Sequence, residues 1–223
     1  MLTWAFWLAG FFALLDWAAV WKGWRKRLYL AKPAVMVFLI FWTLQLTGWR
    51  NEMTWFGAGL VFSLIGDIAL MLNPRFFMVG GTSFLFAQVA YFIGFNTSPA
   101  PLSGGVFLVA VLVGAAAAVI FKRIRPGILR VPRGRRFLAA LCLYGLTLTL
   151  MLLSALLTLF RPEWQYQPAI LAAIGALLFF SSDTMLVYDR FVRRFNRAQS
   201  YVHLTYHLAQ FGIISGAVLH CLR

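Results

Sequence analysis

The chain has 223 residues, of which 62% are hydrophobic and 12% charged, with a mean hydropathy of +0.81. Those values exclude a water-soluble globular domain and point to a chain that crosses a membrane several times. The formal net charge of +14 would suit a nucleic-acid partner, but the positions of the cations favour a membrane surface instead.

Apolar stretches of about 20 residues, the length that crosses a hydrocarbon core of roughly 30 Å, fall at 2–21, 29–48, 54–72, 76–95, 102–121, 137–160, 168–187 and 201–221. The expected fold is all-α, a polytopic membrane bundle of eight transmembrane helices in one domain over 1–223. With the N-terminus outside, every Lys and Arg except Arg50, Arg161 and Arg223 lies in or beside a loop on the inner side. This asymmetry predicts an even number of spans in a bacterial inner (plasma) membrane, with both termini periplasmic and the basic loops cytoplasmic.

Span one begins MLTWAFW, without a basic region or a small-residue cleavage site, and reads as retained. Asp16, near its inner end, reads as an interfacial carboxylate that pairs with Lys22 or Lys32. Span two is expected to open on Lys32-Pro33, since proline suits a first helical turn. Lys32 either snorkels inward or contacts a phosphate or carboxylate at the mouth of a pocket.

Chemistry starts in span three. The stretch GLVFSLIGDIALML at 59–72 sets Asp67 in an apolar helix, in the inner half of the bilayer, with Ser63 one turn before it. Gly59 and Gly66 leave room for a neighbouring helix. A charge at such a depth costs about 3 kcal/mol on insertion scales and by default marks function. Span four carries Gln88 and Tyr91. The Gln88 amide must find a partner, as interhelical glue or as a substrate contact. Loop 96–105 is rich in Pro, Gly and Ser. Span five holds no charge, and its small-residue run at 114–118 predicts a packing surface without chemistry. A cation-rich loop is expected over 122–136, after which span six brings Tyr144 into the inner half.

Span seven repeats the grammar of span three. GALLFFSSDTMLVY at 175–188 sets Gly175, Asp183 and Leu186 where Gly59, Asp67 and Leu70 stand, with Ser182 beside the acid. The match admits a weak four-plus-four direct repeat. Span eight then presents His203, Tyr206, His207 and Gln210 on one helical face. Two histidines near two aspartates could bind zinc, but histidines beside tyrosines more often serve as hydrogen-bond partners, so no metal or other cofactor is expected. Cys142 and Cys221, about 20 Å apart in depth, are not expected to pair.

Lys32, Asp67, Tyr144, Asp183, Tyr206 and His207 all fall in the inner half of the bilayer, and one shared polar cavity is the economical explanation. Two carboxylates in one site cannot both ionise cheaply, which supplies an acid and a base together.

The run at 59–72, then Phe77, Gly80, Phe84-Leu85 and Tyr91, then SDTML at 182–186, Tyr206 with Gln210, and Lys32-Pro33, together resemble the YhhN or lysoplasmalogenase family of eight-span membrane proteins. Gln88 stands where many relatives have His, and His207 stands beside Tyr206 where a second Tyr is common. The resemblance implies hydrolysis of the vinyl ether bond of lysoplasmalogens, which are 1-alkenyl lysophospholipids, to a fatty aldehyde and glycerophosphoethanolamine or glycerophosphocholine. The partners it implies are that lysophospholipid, entering sideways from the membrane, and the membrane lipids, with no nucleic acid. One of Asp67 and Asp183 would then protonate the alkene carbon, while the other stabilises the oxocarbenium-like cation and orients water. Lys32, Ser63, Gln88, Tyr91, Tyr144, Ser182, Tyr206, His207 and Gln210 are the expected binding or positioning residues, with Lys32 near the substrate phosphate. The alternative is a proton-coupled carrier or binding protein for a lipid or amphiphile, in which the same acids load and unload protons.

Overall fold

The computed structural model describes residues 2–131 and 134–222, the side chains of Arg25, Lys26, Arg27, Leu28, Pro74 and Arg136 excepted. Arg133 and Arg223, which belong to the cation pattern above, lie outside the described residues. The chain forms α1 (Trp4–Lys22), α2 (Arg25–Thr47), α3 (Met53–Leu72), α4 (Phe77–Phe95), α5 (Gly104–Leu129), α6 (Gly134–Leu157), α7 (Tyr166–Phe191) and α8 (Ala198–Cys221). All eight are long and apolar enough to cross a membrane, as expected of a polytopic helical bundle.

Short connections hold the helices in adjacent pairs. Gly23 and Gly48 end α1 and α2 with φ of 69° and 58°, a left-handed conformation that favours glycine and turns the chain back at once. Ser103 starts α5 by accepting the Val106 N–H at 3.3 Å. The pair α7–α8 touches backbone to backbone: a Cβ added to Gly175 would lie 2.4 Å from the Ile213 nitrogen. Lipid tails are as apolar as leucine, so such close approach supplies much of what holds helices together in a membrane. Over the apolar stretches, 61% of α8 is buried against 6% of α5. Thus α8 is the central post and α5 an outer wall.

Two boundaries differ from expectation. Span two does not open on Lys32-Pro33, because α2 begins at Arg25 and holds Pro33 inside the helix. Likewise α5 continues to Leu129 through Pro126, so the expected 122–136 loop is helical over its first half. Lys, Arg, Leu and Ala are good helix formers, and a helix that leaves hydrocarbon does not stop when hydropathy falls.

At the end of the bundle away from the basic loops, Arg161 is 2% exposed. It donates to the Phe95 carbonyl and, at 2.7 Å, to Asn96 Oδ1. That cation caps the C-terminus of α4, where carbonyl dipoles favour positive charge, and burial lowers its guanidinium below the usual arginine range.

Candidate active site

Asp67 is fully buried on α3. Its Oδ1 lies 2.9 Å from Lys32 Nζ, and its Oδ2 accepts the Tyr206 hydroxyl at 2.8 Å. The ammonium also sits 5.3 Å from the centre of the Tyr206 ring, close enough for a cation–π contribution. Phe84 and Phe179 wall that ring at centroid distances of 5.7 and 5.9 Å. Gly66 admits the wall, since a Cβ there would meet the Phe84 ring at 2.7 Å. Lys32 is therefore an internal counter-ion. It is not the snorkelling side chain of the first expectation.

Asp183 on α7 is satisfied differently. Its Oδ2 accepts both the Tyr144 hydroxyl and, at 3.2 Å, the Gln88 amide N–H. Thr147 donates to the Gln88 carbonyl oxygen at 2.7 Å, which fixes the amide with its NH₂ towards the acid. Among the described residues no cation is bonded to Asp183 and no hydrogen bond reaches its Oδ1. The residue is 6% exposed, and that exposure gives onto a groove of about 450 Å³ between α5, α6 and α7. Gly114, Ala117 and Ala118 form one side of this groove, with Phe121, Ile124 and Leu148 among its apolar lining.

The groove corrects the expectation for span five. The run at 114–118 does not pack against a partner, and a Cβ on Gly114 would touch nothing within 4 Å. Small side chains that could have drawn two helices together instead leave the space between them open.

A second cavity of about 400 Å³ lies at the basic end and is lined by Lys32, His203, Arg190 and Tyr29 among others. So the expected single polar cavity is not what forms: Asp183 lines the groove, while Lys32, the partner of Asp67, lines the basic-end cavity. The two sets nonetheless belong to one polar core. Ser182, next to Asp183, bonds the carbonyl of Val202, next to His203, and Phe179 of α7 lies against the Tyr206 ring that holds Asp67. The core thus has one apolar mouth and one polar mouth.

The other expected residues divide by what they touch. Tyr91 donates to Gln210 Oε1 at 2.7 Å, and Gln210 donates to Ser63 at 3.0 Å, a buried strap across α4, α8 and α3. Gly59 makes room for it, since a Cβ there would lie 2.2 Å from the Tyr91 ring. Ser182 donates to the Val202 carbonyl at 3.0 Å and ties α7 to α8. His207 is fully buried and accepts the Trp17 indole N–H at 3.2 Å. None of these five expected residues lines the groove or the basic-end cavity. Asp16 does not pair with Lys22 or Lys32. It is fully buried, and its Oδ2 lies 2.8 Å from His203 Nδ1, because the helical face of α1 that carries it turns to α8 and not to the loop. Thr147 and the Asp16–His203 pair escaped sequence reasoning. A Thr in a membrane helix usually bonds its own backbone, and the facing of α1 against α8 has no local signal.

No solved structure matches the chain. A lysoplasmalogenase, TMEM86B from Homo sapiens, is 26% identical over 196 residues, which is 87% of this chain and 76% of that protein. The YhhN family model matches residues 28–217, a stretch that takes in both aspartates, Lys32, Tyr144 and the whole polar face of α8. The chain belongs to the YhhN family.

Proposed function

We propose that the protein is a lysoplasmalogenase-like hydrolase that opens the vinyl ether bond of a 1-alkenyl lysophospholipid, with Asp183 as the proton donor. The observation that carries the assignment is the contrast between the acids. Asp67 has an ammonium at 2.9 Å, so it serves as the fixed carboxylate. Among the described residues Asp183 has only neutral donors, both on Oδ2, and the residue lines an apolar groove of about 450 Å³, within the range of small-molecule sites. A carboxyl without a counter-ion, beside the space where a chain would lie, is the one suited to carry a proton and deliver it to carbon.

In this reading the lipid tail lies in the groove and the head group points to the basic end. Asp183 passes its proton to the alkene carbon remote from the ether oxygen. The positive charge then spreads over the neighbouring carbon and that oxygen, an oxocarbenium-like cation that Asp67 stabilises through the low-dielectric core. Water adds to the cationic carbon and loses a proton. The resulting hemiacetal loses its hydroxyl proton and the glycerol oxygen gains one as the bond between carbon and that oxygen breaks, giving a fatty aldehyde and glycerophosphoethanolamine or glycerophosphocholine. Tyr144 and Gln88 hold the donor, and Tyr206 holds Asp67. The human relative supports the reaction class by its name, and the cation pattern supports an orientation with the basic loops on the cytoplasmic side.

The test uses purified protein in detergent with 1-alkenyl lysophosphoethanolamine. Aldehyde release, lipid binding and thermal stability are followed for wild type, Asp67→Asn and Asp183→Asn. Asp183→Asn is expected to stay folded and to lose roughly 10²- to 10⁴-fold in kcat, the usual contribution of a general acid. Lipid that binds but is left intact by wild type would sink the hydrolase and transfer the reading to a proton-coupled carrier.

A further inference from the structure

Three buried groups on α1 and α8 take no part in the reaction as drawn. Asp16 is fully buried, and its Oδ2 lies 2.8 Å from His203 Nδ1. The same oxygen is 3.7 Å from His207 Nδ1, beyond hydrogen-bond range. That nitrogen accepts the Trp17 N–H instead, at 3.2 Å. A ring nitrogen that accepts carries no proton, so His207 is neutral with its hydrogen on Nε2. His203 is thus the ring that donates to Asp16. With Nδ1–H fixed on a carboxylate, the neutral His203 ring has its lone pair on Nε2.

No hydrogen bond among the described residues reaches His203 Nε2, and His203 lines the basic-end cavity of about 400 Å³ beside Lys32. The remaining Asp16 oxygen, Oδ1, is buried with no hydrogen-bond partner among the described residues. A mere strap between α1 and α8 does not require this. Burying a carboxylate costs several kcal/mol, whereas the neutral Trp17–His207 bond joins the same two helices without a charge. A histidine oriented by a buried carboxylate, with its other nitrogen open to a cavity, is the arrangement that accepts protons in hydrolases.

We infer that His203 is the general base of the hydrolysis, taking up through Nε2, by way of water in the basic-end cavity, the proton that the attacking water loses, and that Asp16 positions its ring. The inference rests on the vinyl ether reading above. The protons balance. Asp183 gives one to carbon, the attacking water passes one to His203 as its oxygen bonds to the cationic carbon, the hemiacetal hydroxyl proton moves to the departing glycerol oxygen, His203 releases its proton through the cavity, and Asp183 regains one from solvent. The groups that face His203 are Asp16 on α1, Lys32 on α2, Asp67 on α3 and His207 on α8, with Arg190 of α7 across the cavity. Asp16 holds the imidazolium while the proton is on it, and Arg190 on the cavity wall favours its return to water.

The experiment measures aldehyde release from 1-alkenyl lysophosphoethanolamine by wild type, His203→Gln, His203→Ala, Asp16→Asn and Asp183→Asn, with thermal stability in parallel. Glutamine can still donate to Asp16, so His203→Gln keeps the α1–α8 strap and removes only the base. It is expected to fold, to bind lipid with little change in KM, and to lose about 10²-fold in kcat. Added imidazole should restore part of the rate to His203→Ala, whose vacated side chain opens the cavity, and none to Asp183→Asn. Asp16→Asn should lose less than His203→Gln and add nothing when combined with it, since the two act as a unit. A folded His203→Gln that works at the wild-type rate, or a His203→Ala whose loss follows its unfolded fraction and ignores imidazole, would overturn the inference while leaving the hydrolase in place. Wild type that releases no aldehyde overturns both.

Discussion

Asp67 and Asp183 stand on the same step of two matching helices, each followed three residues later by a leucine and preceded at eight by a glycine, yet the bundle treats them oppositely. Around Asp67 it places an ammonium at 2.9 Å and a phenol at 2.8 Å and closes the site completely. Around Asp183 it places a phenol and an amide, with no cation bonded to it among the described residues, and leaves 6% of the residue open beside an apolar groove. The local motif therefore sets how far along its helix a carboxyl sits, and the helices packed against it decide whether that carboxyl has a counter-ion, the difference on which the two proposed roles rest.

Removing the cation should break the comparison most sharply. Lys32→Met strands a buried carboxylate, and loss of one partner of a buried pair costs about 3–5 kcal/mol, read as a fall in the denaturation midpoint in detergent. Asp67→Asn in the same chain should recover much of that loss, because the double variant buries no net charge. Asp183→Asn should cost far less stability than Lys32→Met, since no counter-ion loses its partner. A Lys32→Met variant as stable as wild type would show that the 2.9 Å pair contributes little and that the two acids are alike.

A smaller effect sharpens the Asp183 side. Tyr144→Phe deletes one of the two donors to Oδ2 and should lower kcat about tenfold, near the 1.4 kcal/mol that one such hydrogen bond contributes. The matching change, Tyr206→Phe, acts on an acid that keeps its ammonium and should lower stability more than it lowers kcat. Equal kinetic losses in the two variants would contradict the assignment of the donor to Asp183. The smallest effect is expected in the groove. Ala117→Leu narrows the apolar mouth without touching either acid, and should raise KM by a few-fold for long alkenyl chains and less for short ones, with stability within about 0.5 kcal/mol of wild type. A uniform change across chain lengths would place the tail elsewhere.

The spans were legible because length and hydropathy are local properties, and the burial of Asp67 and Asp183 because each stands in the middle of such a stretch. What each polar group touches was not legible. Asp16 reads as the partner of a nearby lysine, but its partner is His203, 187 residues away. Nothing in the spacing reports how α1 rotates against α8. Arg161 reads as a loop cation, yet it is buried against the end of α4, since hydropathy cannot register a charge that a helix terminus neutralises. The run at 114–118 carries the composition of a helix contact, and only the placement of α6 turns it into the wall of a groove.

The polar core with two unlike mouths has a consequence for turnover. In the proposed reaction a cut between the greasy and the wet half of an amphiphile would leave each fragment already facing the phase that dissolves it: the aldehyde beside the groove of α5, α6 and α7, the head group beside the cavity that Lys32 and Arg190 line. Product release then amounts to partitioning and calls for no gate. In reconstituted vesicles the aldehyde should accumulate in the bilayer while the phosphate ester appears in the aqueous phase that bathes the basic end.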